Sequence, residues 1–205
     1  MDEEKIIPPN DAVVVHEDET VLDKTVKNHI LPYLKDIAGA LLIILVAFLF
    51  CFRIAIVDGT SMLDTLHHGD TLLLLNNTIS GEPKQGDIVV VSKSTFKNGE
   101  PIIKRVIATE GQTVEIDIEN GIVKVDGQIL YEPYIKELTS TVYDGVEYPL
   151  TVAEGCVFVM GDNRNNSLDS RYPTIGQVDC REIIGEAILI VWPGNKDYSR
   201  IGAIS

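Results

Sequence analysis

The sequence predicts a mainly β protein, with a single N-terminal transmembrane helix followed by a mostly antiparallel β-sheet domain. Three observations carry that prediction. Ile37 to Phe52 runs for sixteen residues without a charge. Beyond Asp70 the apolar residues come in short, β-branched runs bounded by Gly, Pro or Asn. After the apolar run, no long stretch repeats with helical periodicity.

Residues 1–36 are polar and acidic, with MDEEK, HEDET and Pro8-Pro9-Asn10. They are expected to be largely disordered, with a short amphipathic helix near Val21 to Leu34. The run from Ile37 is slightly short of a full span. Arg53 can snorkel, however, and Ile54-Ala55-Ile56-Val57 brings the anchor, 37–57, to about 20 residues. A buried helix of a soluble domain is the alternative reading, but nothing amphipathic interrupts this run. A cleavable signal peptide would have a shorter leader and an A-x-A-like site after it. Lys24, Lys27 and Lys35 precede the span and only Arg53 lies near its far end. The N-terminus is therefore expected in the cytoplasm, and residues 58–205 outside it.

Strands are expected at Thr71–Leu75, Asp87–Ser92, Pro101–Thr109, Thr113–Ile118, Cys156–Met160 and Gly185–Val191. Gly121 to Leu130 reads as a hairpin with an Asp126-Gly127 turn. About 150 residues of this kind can bury a core of their own. Acidic residues outnumber basic ones by 31 to 17, which argues against a nucleic-acid partner. The three cysteines lack CxxC spacing and no His/Cys cluster has metal-ligand spacing, so no metal is expected. Cys156 and Cys180 bracket a polar block on the extracytoplasmic side. Two free thiols are the expectation there, with a disulfide as the alternative.

Three stretches could carry chemistry. In Asp58 to Asp70, DGTSMLDTLHHGD, the Asp-Gly-Thr opening suits a tight turn and leaves Ser61 at its end, with apolar residues behind it. Such a serine can expose its hydroxyl as a nucleophile, although most turn serines merely bond their own backbone. In Ile102 to Thr109, alternation puts Lys104 on the same face as Ile102 and Val106. Desolvation there would lower an ordinary lysine pKa of about 10.4 and make the amine a base; snorkelling from a strand edge is the alternative. The third, GDNRNNSLDSR at Gly161 to Arg171, follows an apolar strand. It is either a solvated loop or a hydrogen-bonded platform.

An apolar anchor, then SMLDTL, KRVIATEG and GDNRNNSLDSR, in that order, resembles the type I signal peptidases of bacteria, from the anchor to about Val191. About fifty residues separate the last two motifs, as in the compact, Gram-positive-type members. The resemblance implies a signal-peptidase catalytic domain over residues 58–205 that cuts signal peptides from exported pre-proteins beside a lipid bilayer, without metal or cofactor. It implies Ser61 as nucleophile and Lys104 as general base, with Ser167 orienting the lysine amine. The Ser61 backbone N–H would serve the oxyanion hole. Asp169 and Arg171 would support the site, with Asp162, Arg164 and Arg105 structural. Val57, Met62, Leu66 and Ile103 flank the dyad as candidate walls of pockets for small residues at −1 and −3. Two departures stand out. Gly59 replaces a serine that some members place two positions before the nucleophile. Asp64 replaces the usual proline, and its carboxylate is expected to bond nearby backbone N–H groups instead. A specialised peptidase, an inactive binding module and a self-cleaving repressor are the rival readings. The last would carry a DNA-binding domain where this chain has its apolar run.

Overall fold

A computed structural model describes residues 30–96 and 99–204. The chain divides into two units, Met1–Phe48 and Leu49–Ser205. The apolar run forms helix α1, Leu31–Cys51, with a mean hydropathy of 2.4 over its most apolar window and no buried residue. At about 1.5 Å per residue its 21 residues roughly match the ~30 Å hydrocarbon thickness of a bilayer. It is one helix long and apolar enough to cross a membrane among the described residues. The disordered tail expected over residues 1–29 lies outside the described residues.

The helix occupies a different range from the one read off the sequence. It begins at Leu31, with Pro32 in the first turn where its missing N–H costs nothing. It ends at Cys51, and Phe52–Ile56 is strand β1. Ile54 to Val57 therefore do not extend the helix. Every residue of β1 pairs with strand β2, Thr71–Asn76, from Phe52 opposite Leu75 to Ile56 opposite Thr71. A short β-branched run finds backbone partners in a neighbouring strand as well as in a helix, and here the strand wins.

After a one-turn helix, α2, Asn77–Ser80, the remaining strands are β3 (Ile88–Val91), β4 (Ile102–Thr109), β5 (Thr113–Asp117), β6 (Ile122–Val125), β7 (Gln128–Ile129), β8 (Leu150–Thr151), β9 (Cys156–Met160), β10 (Val178–Asp179), β11 (Ile183–Trp192) and β12 (Gly202–Ala203). All pairings are antiparallel. The larger sheet runs β1-β2-β11-β3-β4-β9-β10, with β12 on β11; the smaller runs β7-β6-β5-β8. Asp126 and Gly127 both have positive φ, 53° and 75°, as the two-residue hairpin turn requires.

Val57, Met62, Leu66, Leu72, Leu74, Ile88 and Val90 pack together under the β1–β2 end of the large sheet. Val89, Val106, Val157, Val159 and Val178 form a second cluster, and Ile107, Val114, Val123, Phe158 and Met160 a third beside the small sheet. Cys156 packs against the third cluster and Cys180 against the second, and both thiols are free. The two cysteines nonetheless lie near each other, since Cys180 N–H bonds the Gly155 carbonyl and both side chains line one surface pocket.

Candidate active site

Residues 57–70 form a closed loop between β1 and β2. Its neck is tied by Val57 N–H to the Asp70 carbonyl at 2.8 Å and by Gly69 N–H to the Val57 carbonyl at 2.9 Å. Gly59, at φ 100°, makes the reversal that leads into Thr60 and Ser61. One helical turn follows, closed by Leu66 N–H on the Met62 carbonyl at 2.8 Å. Met62 and Leu66 sink into the core and leave Ser61 on the outer side of that turn.

The 161–171 loop, leaving the end of β9, holds this turn from the other side. Asn163 N–H donates to the Ser61 carbonyl at 3.0 Å and Asn163 Nδ2 to the Thr60 carbonyl at 2.9 Å. Asn166 Nδ2 reaches Thr60 Oγ1 at 3.1 Å. Gly161 permits the approach. A Cβ there would lie 2.5 Å from the Ser61 carbonyl oxygen and 2.2 Å from Ser167 Oγ.

Lys104 arrives from β4, which β11 and β3 separate from β2 in the sheet, and is 3 % exposed. Its Nζ lies 2.8 Å from Ser61 Oγ and 2.8 Å from the Ile103 carbonyl. An amine and a hydroxyl this close can exchange a proton, which turns a weak alcohol into a nucleophile.

Next to it, Arg105 forms a two-point pair with Asp162, Nε to Oδ1 at 3.0 Å and Nη2 to Oδ2 at 2.9 Å. The same Asp162 accepts from Thr65 Oγ1 at 2.6 Å, so one buried carboxylate joins β4 to the loop bearing Ser61. The Arg105 guanidinium also donates to the Gly86 carbonyl and lies 3.9 Å above the Tyr134 ring. Burial and the Glu132 carboxylate push the Tyr134 phenol far above its ordinary value and keep it neutral.

Asp169 and Arg171 pair at 2.8 and 2.9 Å, both fully buried, and Asp169 also accepts from Gly161 N–H. Arg171 reaches the carbonyls of Thr141 and Arg164. Arg164 pairs with Glu132 and donates to the Gly161 carbonyl at 3.0 Å. The polar block is therefore a buried platform rather than a solvated loop.

A cleft of about 540 Å³ contains Ser61, Lys104 and Ser167, and Val57, Met62 and Ile103 line it. Leu66 does not. It is completely buried in the cluster beneath, because the turn that exposes Ser61 directs Leu66 inward. Ser167 shares the cleft and is 4 % exposed, but its hydroxyl makes no hydrogen bond among the described residues. The bond to Lys104 implied by the family resemblance is not formed in this arrangement. Asp64 departs further from expectation. It is exposed, and its carboxylate bonds no backbone N–H among the described residues. That work falls to Asp70, which accepts from His67 N–H and Gly194 N–H, each at 2.8 Å.

Sequence reasoning missed several contributors. Tyr143 and Tyr172, with ring centroids 3.6 Å apart, line the cleft. Glu132 sits in a segment with no periodicity, and Thr65 and Asn163 look like any loop residue. The density of polar side chains around Arg164 was the one available signal.

A sequence model of the family described as signal peptidase, peptidase S26, matches residues 30–192. Signal peptidase I T of Bacillus subtilis (strain 168) is 34% identical, over 89% of this chain and 97% of its own length. Probable signal peptidase I-1 of Synechocystis sp. is 39% identical, over 73% of this chain and 75% of its own. A crystal structure of a signal peptidase I from Enterococcus faecalis V583 matches with 32% identity and a TM-score of 0.41, covering 52% of this chain and 97% of that one. A match over four-fifths of the sequence, to relatives it nearly spans, leaves one assignment: the chain belongs to the signal peptidase family, peptidase S26, and is a serine endopeptidase.

Proposed function

We propose that the protein removes N-terminal signal peptides from secreted pre-proteins through a Ser61–Lys104 dyad, cutting after small residues at −1 and −3. The observation that carries this reading is the 2.8 Å contact between Ser61 Oγ and the Nζ of a lysine only 3 % exposed. Burial disfavours the charged form of an amine, so Lys104 is suited to accept a proton.

In the forward direction Lys104 Nζ takes the proton of Ser61 Oγ, and Oγ bonds to the scissile carbonyl carbon. The C–N bond then breaks, and the leaving amine takes the proton back from Lys104. Water next gives a proton to Lys104 and attacks the ester carbonyl; the C–Oγ bond breaks, Lys104 returns the proton to Ser61 Oγ, and the signal peptide leaves with a new carboxylate. The Ser61 backbone N–H faces the developing oxyanion, and the unpartnered hydroxyl of Ser167 is available to orient the amine. Val57, Met62 and Ile103 form the shallow apolar walls that favour small residues. The buried pairs Arg105–Asp162 and Asp169–Arg171 hold the strands and loop that present the dyad.

Helix α1 serves as the anchor between a cytoplasmic N-terminal tail and an extracytoplasmic catalytic domain, at the face of the membrane where the cleavage site of a signal peptide emerges. Cleavage of a pre-protein by the full chain in detergent tests the reading. Ser61→Ala and Lys104→Ala should each abolish it with the fold intact, and wild-type turnover should rise with pH as the amine loses its proton. A Lys104→Ala enzyme with wild-type turnover would remove the dyad from the mechanism.

A further inference from the structure

Beyond the dyad, the loop bearing Ser61 is held by the 193–204 segment. Asp70, fully buried at the neck of that loop, meets Arg200 through both carboxylate oxygens, Nη1 to Oδ1 at 3.0 Å and Nη2 to Oδ2 at 2.7 Å. Nη2 of Arg200 also donates to the Thr65 carbonyl at 3.0 Å, at the end of the turn that begins with Ser61. Gly194 contributes its N–H to Asp70 Oδ1 and lies so near the loop that a Cβ would fall 2.3 Å from the His68 carbonyl.

The segment is itself fixed. β12 pairs with β11, Leu189 opposite Ala203 and Ile190 opposite Gly202. Tyr198 meets Trp192 edge-on, with centroids 5.3 Å apart. Arg200 lies outside residues 30–192, which the family sequence model matches.

We propose that Arg200 is a positioning residue, and that the 193–204 segment is a clasp that sets the Ser61 loop for catalysis through Asp70 and the Thr65 carbonyl. The inference rests on the reading of Ser61 as nucleophile. A two-point guanidinium–carboxylate pair fixes orientation as well as distance, which a lysine would not do. Asp70 presents two oxygens to four donors, one from His67 in the loop itself and three from Gly194 and Arg200, 124 and 130 residues further along the chain. Without Arg200 the buried carboxylate loses its counter-charge and the Thr65 carbonyl its partner. The turn keeps its Leu66–Met62 bond but loses its outer support. Arg200 touches neither the cleft nor Lys104, so its removal should reach the reaction only through placement of Ser61.

The test compares full-chain Arg200→Ala, Arg200→Lys and, as control, Arg181→Ala, whose pair with Asp179 is on the surface. Pre-protein cleavage and amide hydrogen exchange are measured for each. Arg200→Ala should lose about 10- to 100-fold in kcat, since misplacement near 1 Å costs about that much, with KM changed less than about twofold. Added methylguanidinium should restore part of that loss, Arg200→Lys should lie between, and Arg181→Ala should match wild type. Exchange should accelerate in residues 57–70 of Arg200→Ala and not in β9. Wild-type kcat in Arg200→Ala, beside an inactive Ser61→Ala, overturns the clasp and leaves the nucleophile reading standing. If wild type itself cleaves nothing, that reading fails, and unchanged exchange in residues 57–70 would overturn the clasp separately. Should Arg200→Ala loosen every strand alike, Arg200→Lys decides, with local acceleration supporting the clasp and none overturning it.

Discussion

Asp162→Asn is the perturbation that most directly probes how the site is held together. The carboxylate is fully buried and accepts three hydrogen bonds, two from Arg105 and one from Thr65. Asparagine keeps the shape but removes the charge, and turns an NH₂ group toward donors that need an acceptor. Removing one member of a buried ion pair costs about 3–5 kcal/mol, because the other charge is left uncompensated. Arg105 retains the Gly86 carbonyl and the face of Tyr134, which places the expected cost at the lower end, about 3 kcal/mol. For a chain of this size that corresponds to a fall in Tm of about 6–12 °C. The assay is a thermal melt of the full chain in detergent for Asp162→Asn, Arg105→Met and the double variant. Removing both charges should restore much of the loss, with a coupling of about 2 kcal/mol between the two sites. A single-variant cost below about 1 kcal/mol, or strict additivity in the cycle, would refute the argument that this pair joins β4 to the Ser61 loop.

Three further outcomes are expected. Asp64→Ala should leave turnover within about twofold and stability within about 0.5 kcal/mol of wild type, because that exposed side chain bonds nothing among the described residues; matched cleavage assays and melts check this. Burial alone would raise the Asp70 carboxyl, but hydrogen bonds from Arg200, His67 and Gly194 outweigh it and hold it below its ordinary value. Its stabilising contribution is therefore complete above the unfolded value of about 3.9 and is lost as pH falls below that toward the folded one. Asp70→Asn should accordingly flatten the acid limb of urea midpoints measured from about pH 6 down to about pH 2. Cys156 and Cys180 should alkylate identically with and without reductant, and slowly at neutral pH, since burial pushes both thiols up. A reductant-dependent mass shift would contradict the two free thiols.

The strands were legible because alternation and turn chemistry are local: Cys156–Met160 has the same ends in sequence and structure, and the Asp126-Gly127 turn declares itself. The end of the helix was not. Ile54-Ala55-Ile56-Val57 is as apolar as a helix needs, and only pairing with Thr71–Leu75 makes its first three residues part of a strand. Lys104 and Ser61 could be singled out by residue type and setting, but their contact depends on the sheet order, which no local pattern records. Leu66 shows the limit in reverse. Its nearness to Ser61 in sequence suggests a pocket wall, yet a helical turn sends residues five apart in different directions. The Asp70–Arg200 pair, 130 residues apart, left no trace that sequence spacing could reveal.

The order of strands in the large sheet also sets a timetable. β2, which ends the Ser61 loop, has β1 on one side and β11 on the other, and β11 follows every other strand of the sheet except β12 in the sequence. Loops that close over such separations are slow to form, because their entropy must be lost before any contact rewards it. During synthesis Ser61 emerges first, Lys104 next and the 161–171 loop after both, while the strand that lies between β2 and β3 is still to come. A chain interrupted before Ile183 carries the hydroxyl and the amine with no central strand to bring their strands into register. The pairing that brings Ser61 to Lys104 therefore waits on β11.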